Sequence, residues 1–277
     1  METGSTEEDQ AITPADSVLE ALVSREDKRP VALVTGASRQ RGIGAAIALA
    51  LASSGWNVAT TYWRPYDATM PWGSDAGDVA QLDRQLRALG AATAHVEVDL
   101  ADVAAPARIF DTVEAALGPV TALIMAHCHS VDSGIPDTTV ESFDLHFAVN
   151  ARAVWLLIRE FGQRFHDDPP GRGRIISITS DHVAGNMPYG ASKGAMDRIT
   201  LAAAREFAHL RITANVINPG ATDTGWMSRE QLAASAQAVP LGRVSTPEDC
   251  AHLVSFLCSE QGGWINGQLL YSNGGVQ

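Results

Sequence analysis

From Val31 onward the chain alternates short apolar runs with segments of helical spacing. VALVT (31–35) is apolar at nearly every position, which predicts a strand buried on both faces rather than one. After a glycine-rich turn, AAIALALASSG (45–55) predicts a helix. NVATT (57–61) predicts a second strand, and 62–75, YWRPYDATMPWGSD, is turn-rich and aromatic. Helical spacing returns over 78–89, and AHVEVDL (94–100) predicts a third strand. A helix over 103–117 and a fourth strand, TALIMAH (121–127), follow.

The second half keeps this rhythm. A long helix is predicted over 150–166, beginning near Asn150, and DDPPGRG (167–173) is a connector. RIISIT (174–179) and ITANVIN (212–218) predict strands five and six, with a helix over 189–208 between them. A helix over 247–259, entered through Pro247, precedes a short last strand in GQLLYS (267–272). Strands alternating with helices predict an α/β fold whose parallel sheet is covered on both faces. No composition shift divides residues 30–277, so one domain is expected there, preceded by an acidic, flexible tail over 1–29.

Composition adds limits. Hydrophobic residues make up 45% of the 277 and charged residues 19%, as in ordinary globular proteins. No run of eighteen apolar residues predicts a membrane span. The net charge of -12 is concentrated partly in the acidic tail, and no basic patch suggests nucleic acid. That polar N-terminus does not read as a signal peptide. Three scattered cysteines, Cys128, Cys250 and Cys258, match neither a disulfide framework nor a zinc spacing, so a cytoplasmic setting is expected.

Two motifs carry chemistry. TGASRQRGIG (35–44) lies between a predicted strand and a predicted helix. Gly36 permits a tight turn, and Gly42 and Gly44 let a pyrophosphate and the neighbouring strand approach the helix closely. The helix N-terminus then offers free N–H groups and a favourable dipole to phosphate. No acidic residue follows the second strand to hold an unphosphorylated ribose; Arg64 does, and Arg39 sits in the glycine loop. Two guanidinium groups suit a 2′-phosphate, so NADP is favoured over NAD, although either arginine also reads as a plain surface residue. Asp99 suits a contact near the adenine or a cap on the following helix.

The second motif is SDHVAGNMPYGASK (180–193). Tyr189 and Lys193 are four apart and share a helix face. An ammonium near the phenol favours its ionised form and brings it toward a useful range for proton exchange with a carbonyl or alcohol oxygen. Ser180, at a strand end, reaches the same oxygen, and Asn150 suits the end of a proton relay. Each also has a plain structural reading, Ser180 as a turn cap and the Tyr–Lys pair as a chance spacing.

With these motifs in place, residues 29–275 resemble the short-chain dehydrogenase/reductase family. The resemblance lies in TGASRQRGIG, in Asp99, in Asn150 of HFAVNAR, and in Ser180, Tyr189 and Lys193. It extends to NPGATDTGWM (218–227), and 240–275 is similar to the C-terminal part of 3-oxoacyl-carrier-protein reductases. The resemblance implies a Rossmann-like, doubly wound, seven-stranded parallel sheet in order 3-2-1-4-5-6-7, and a homotetramer. It implies a catalytic tetrad of Asn150, Ser180, Tyr189 and Lys193, with Lys193 lowering the tyrosine pKa and Asn150 holding a relay water. It also implies cofactor contacts from Gly36, Ser38, Arg39, Gly42, Ile43, Gly44, Arg64, Asp99, Leu100, Tyr189 and Lys193. Pro219, Gly220 and Thr222 join them near the nicotinamide, and Thr224 near phosphate. The implied activity is hydride transfer to or from a ketone, a 3-oxoacyl thioester or a secondary alcohol. A carrier protein is one possible bearer of the substrate; a tailoring alcohol dehydrogenase using NAD and a weakly catalytic dinucleotide-binding protein are the alternatives.

Three departures stand out. Arg39, Gln40 and Arg41 thicken the glycine loop. MAHC (125–128) replaces the family's NNAG, removing asparagines that steady the scaffold. Ser180 precedes Tyr189 by only nine positions, a shorter loop than is usual in the family. His127, His129 and His182 raise a metal site, but no carboxylate sits at a supporting short spacing, and structural roles are favoured. Cys128 reads as a small buried side chain. Tyr62, Trp63, Tyr66 and Trp72 suit an adenine cover, a subunit contact or simple packing. Trp226 and Met227 suit either an apolar substrate lid over 224–238 or the anchoring of that lid.

Overall fold

In a computed structural model of the chain, residues 29–166 and 173–276 are described. The tail, apart from Arg29, and most of the 167–173 connector lie outside them. Seven strands form one parallel sheet: β1 (Val31–Thr35), β2 (Asn57–Tyr62), β3 (Thr93–Glu97), β4 (Val120–Met125), β5 (Arg174–Ile178), β6 (Thr213–Asn218) and β7 (Leu269–Tyr271). Their order is β3-β2-β1-β4-β5-β6-β7, a Rossmann-like single domain as expected. Strand β1 pairs with both β2 and β4, so the order reverses there.

The unbroken apolar run of β1 is explained by burial on both sides. Val31 and Leu33 enter one core with Leu123, Ile175, Phe110, Leu157 and Phe161. Ala32 and Val34 enter the other with Ile124, Ile176, Ile47, Leu51 and Leu257. The helices on the second side are α1 (Ile43–Ser53) and, further along the chain, Ala76–Ala88, through Leu82 and Leu86, and Pro247–Cys258. The alanines of α1 let it and Pro247–Cys258 approach closely, and Ala45, Ala48 and Ala52 are buried.

The sequence pattern missed several elements. The aromatic segment holds a short helix, α2 (Arg64–Thr69), ahead of α3 (Ala76–Ala88) and α4 (Ala105–Leu117). The helix expected from Asn150 begins ten residues earlier, as α5 (Val140–Phe147), capped by the Thr139 hydroxyl, which accepts from the Ser142 N–H at 3.2 Å. It passes through a π-helical turn (Ala148–Arg152) into α6 (Ala153–Arg164). Such widened turns recur at functional sites, and this one carries Asn150. The remaining helices are α7 (Met187–Glu206), α8 (Arg229–Ala238) and α9 (Pro247–Cys258). No described helix is long and apolar enough to cross a membrane.

Candidate active site

A cavity of about 830 Å³ opens at the carboxyl ends of the strands, where the order reverses between β1 and β4. This is where an open α/β sheet places its ligand. Of the site residues anticipated from sequence, all line this cavity except Arg64 and Asn150.

The glycine loop forms one wall. The N–H groups of Gly36 and Ala37 both donate to the Thr61 carbonyl, at 3.0 and 2.9 Å, which fixes the turn against β2. Gly36 has φ +76, and a Cβ there would lie 2.6 Å from the His127 backbone. A Cβ on Gly44 would lie 2.4 Å from the Gly36 carbonyl. The thickened loop closes on itself, the Gly42 N–H donating to Arg39 O at 3.0 Å. Helix α1 has no side-chain cap and no acidic residue in its first turn. Its orphan N–H groups therefore suit an anion, and Ser38, Gly42, Ile43 and Gly44 bring the cavity to them. The residues present fit a dinucleotide's pyrophosphate.

The two arginines behave differently from expectation. The Arg64 guanidinium is engaged two-pronged by the Glu97 carboxylate, Nε to Oε1 at 2.9 Å, and does not line the cavity. The side-chain hydrogen bond that Arg64 donates to Glu97 holds the guanidinium above its ordinary range. Residues 64–69 form α2, and β2 and β3 run in register so that Tyr62 faces Glu97, which brings the carboxylate within reach. Arg39 does line the cavity. Its Nη1 donates to Thr224 O at 3.0 Å, its Nε lies 3.8 Å from Asp67, and its charge sits 4.3 Å from the Trp72 ring. Asp99 lines the cavity beside Leu100, and its Oδ1 accepts from the Ala101 N–H at 2.8 Å, closing a local turn; it does not cap the following helix, whose N-terminus at Ala104 has no side-chain cap.

The segment after β6 forms the opposite wall. The Gly220 N–H donates to the Asn218 side chain at 2.9 Å, and the Thr222 hydroxyl donates to Gly220 O at 3.2 Å. Gly220 has φ +64, with Asn273 where a Cβ would be. Pro219, Thr222 and Thr224 line the cavity from this side.

The short loop does not separate the serine from the tyrosine. Ser180 leaves the end of β5, Tyr189 sits in the first turn of α7, and both face the same cavity, with the serine near enough to favour the ionised phenol. The Ser180 oxygen also accepts from the His182 N–H at 3.2 Å, which fixes the bend. Lys193 Nζ donates to Ile178 O at 2.8 Å and lies 5.7 Å from the Tyr189 ring centroid. The expected pull of the ammonium on the phenol does not win in the free protein. Burial, with a smaller push from Cys128, raises Tyr189 well above its ordinary value, and the nearby Ser180 only partly offsets this. Burial likewise lowers Lys193. A protonated phenol beside a serine hydroxyl is ready to give a proton to an oxygen placed between them.

Asn150 works at one remove. It is buried, its Oδ1 accepts from the His129 N–H at 2.7 Å, and its Nδ2 donates to His129 O at 2.8 Å and to the Ser192 hydroxyl at 2.9 Å. That hydroxyl donates to Tyr189 O at 2.8 Å. The side chain thus ties the loop after β4 to the helix that carries the tyrosine.

His127 explains how MAHC replaces the lost asparagines. Its ring bridges the Thr35 hydroxyl (2.6 Å) and Val149 O (3.1 Å), joining β1 to the π-helical turn. Donation to Val149 O requires the proton on Nε2, so Nδ1 accepts from Thr35. Burial, aided by Lys193, lowers its pKa to about 3. His129 packs edge-on against His146, and the described residues contain no cluster of metal-binding groups. Cys128 is only partly buried and lines the cavity, a correction to its expected burial.

Two contributors escaped the sequence. The Tyr66 hydroxyl meets both the carbonyl and the N–H of Ser130, each at 3.2 Å. Asn186, buried just ahead of α7, donates to the Ser130 hydroxyl at 2.8 Å and to Asp132 at 2.6 Å. An asparagine preceding Met-Pro-Tyr was the available signal for the second, whereas nothing local marks Tyr66 for Ser130, 64 residues away.

Comparison with known proteins agrees with this geometry. Residues 36–277 match the family described as enoyl-(acyl carrier protein) reductase. The uncharacterized oxidoreductase YjdA of Bacillus subtilis is 36% identical over 249 residues, covering 88% of this chain and 96% of that protein. A short-chain type dehydrogenase/reductase of Picea abies is 37% identical over 259 residues, covering 88% and 91%. Among solved structures, a short chain dehydrogenase from Burkholderia cenocepacia J2315 in complex with NADP is 32% identical, with a TM-score of 0.79 and coverage of 90% and 97%. The finer likeness to 3-oxoacyl-carrier-protein reductases is not singled out by these matches. The chain belongs to the short-chain dehydrogenase/reductase family and is an oxidoreductase with a dinucleotide-binding fold.

Proposed function

We propose that this protein catalyses NADP-dependent hydride transfer between the nicotinamide and the carbon of a ketone or secondary alcohol. The observation that carries this reading is that Ser180, Tyr189 and Lys193 line the same cavity that receives the uncapped N-terminus of α1. A dinucleotide bound there supplies or takes up the hydride. The chain's own residues handle the oxygen. Ser180 donates a hydrogen bond to it, Tyr189 delivers the proton in reduction, and Lys193, anchored on Ile178 O, sets the positive charge beside the phenol. Asn150 and Ser192 hold the helix that aims the tyrosine.

The NADP preference draws support from Arg39 on the cavity wall and from the NADP complex of the Burkholderia relative. Arg64, held by Glu97, adds nothing to it. A free ketone is favoured over a carrier-bound 3-oxoacyl thioester, because among the described residues Arg39 and Lys193 are the only Lys or Arg lining the cavity, and both are engaged within it, on Thr224 O and Ile178 O. A tetramer has apolar surface to draw on: Trp155, Phe256, Tyr271 and Trp264 are exposed, Trp264 at 96%. A cytoplasmic setting accords with three free cysteines. The test is Tyr189→Phe, assayed for NADPH oxidation across a ketone panel and for NADPH binding. Turnover should fall by at least about a hundredfold with binding retained; undiminished turnover overturns the reading.

A further inference from the structure

Three segments far apart in sequence meet at the wall of the cavity. The indole rings of Trp72, between α2 and α3, and Trp226, ahead of α8, stack 5.2 Å apart at 11°. Arg39, from the glycine loop, lies over the Trp72 ring and donates to Thr224 O. Arg41, from the same loop, pairs with Asp223. Trp72 is fixed in turn, its Nε1 donating to Asp67 at 3.0 Å. Gly225, at φ +86, lets the chain turn between these contacts, with the Arg39 and Arg41 side chains just under 4 Å from where its Cβ would be.

We propose that Trp72 and Trp226 form a clasp that holds segment 223–227 closed over the bound dinucleotide, with Arg39 tethering both halves. The proposal rests on the dinucleotide reading above. Thr222 and Thr224 line one side of the cavity, and the open turn of α1 lines the other. A dinucleotide seated between them leaves only when 223–227 lifts, and lifting parts the stacked indoles. The two tryptophans are positioning residues. They set how long the cofactor stays and leave the proton and hydride chemistry to others. The thickened glycine loop gains a purpose, since its Arg39 and Arg41 are the groups that reach across.

The test is stopped-flow release of NADPH from the wild type, Trp72→Ala, Trp226→Ala, the double variant and Trp226→Phe. An aromatic pair of this kind is worth roughly three- to tenfold in a rate or equilibrium, so each alanine variant should release NADPH faster by about that factor. The double variant should be no faster than either single one, and Trp226→Phe should stay slow. Trp226 is 37% exposed, so its replacement leaves the core intact. Near-UV circular dichroism of the cofactor-free proteins should show a coupled-indole signal that either alanine removes. Unchanged release rates, or single effects that multiply in the double variant, overturn the clasp alone. A wild-type chain that binds no NADPH overturns the functional reading and the clasp with it.

Discussion

Acidification should unlock the floor of the site through His127. Its imidazole is buried between Thr35 and Val149 with both nitrogens bonded in the neutral form. The unfolded chain takes up this proton near pH 6.5 and the folded chain only near about 3. Because the folded pKa is the lower one, the stabilisation is full above about pH 6.5 and is lost progressively as the pH falls toward about 3. At about pH 5 the unfolded state has gained roughly 1.5 pH units of proton binding that the folded state lacks, worth about 2 kcal/mol. Urea unfolding of wild type and His127→Gln at about pH 7.5 and about pH 5 isolates this contribution, since every other titrating group, the partly exposed His129 included, is common to both. The wild type should lose about 2 kcal/mol more than the variant over that interval. Equal losses in the two proteins would refute the argument, because they would mean His127 titrates alike in the folded and unfolded chain.

Other outcomes follow from the same geometry. Arg39→Ala should weaken NADPH binding by about tenfold or more, and NADH binding less, as expected for a charge-assisted phosphate contact. Arg64→Ala should leave both affinities within about twofold in a fluorescence titration; an equal loss from the two variants would contradict the placement of Arg64 on Glu97. Gly44→Ala forces a Cβ to within 2.4 Å of the Gly36 carbonyl and should lower stability by about 1–3 kcal/mol in urea unfolding. Gly194→Ala, in helix α7 with open space around its Cβ, should be neutral or stabilising by up to about 1 kcal/mol. The pair checks that backbone approach, not glycine content, is what the β1–α1 turn requires.

The sheet and most of the helices were legible because period and composition are local properties. VALVT is apolar at successive positions because both its faces are covered, and the alanine run of α1 follows from its close partner in α9. The glycine loop was legible for the same reason, as its spacing answers a local geometric demand. The early start of α5 was missed because its apolar residues pack little into the core. Among them only His146 is buried, and a buried histidine does not advertise a helix face. The π-helical turn has no periodic signature. Arg64 was misplaced because chain order puts it beside the expected ribose site, while its direction was decided by Glu97 on a neighbouring strand.

The amino-acid order alone therefore determined the parallel α/β architecture, the phosphate-facing turn and the set of proton-transfer candidates, since each depends on spacing within one element or one turn. Tertiary structure decided what those residues meet. It closed the short 180–189 loop so that Ser180 and Tyr189 face one cavity, turned Asn150 onto the His129 backbone, and made His127 a bridge between β1 and the π-helical turn. It also let burial outweigh the Lys193 ammonium at the phenol. Such contacts join segments tens of residues apart, and their energies depend on desolvation, which is a property of the packed interior and not of any short stretch of chain.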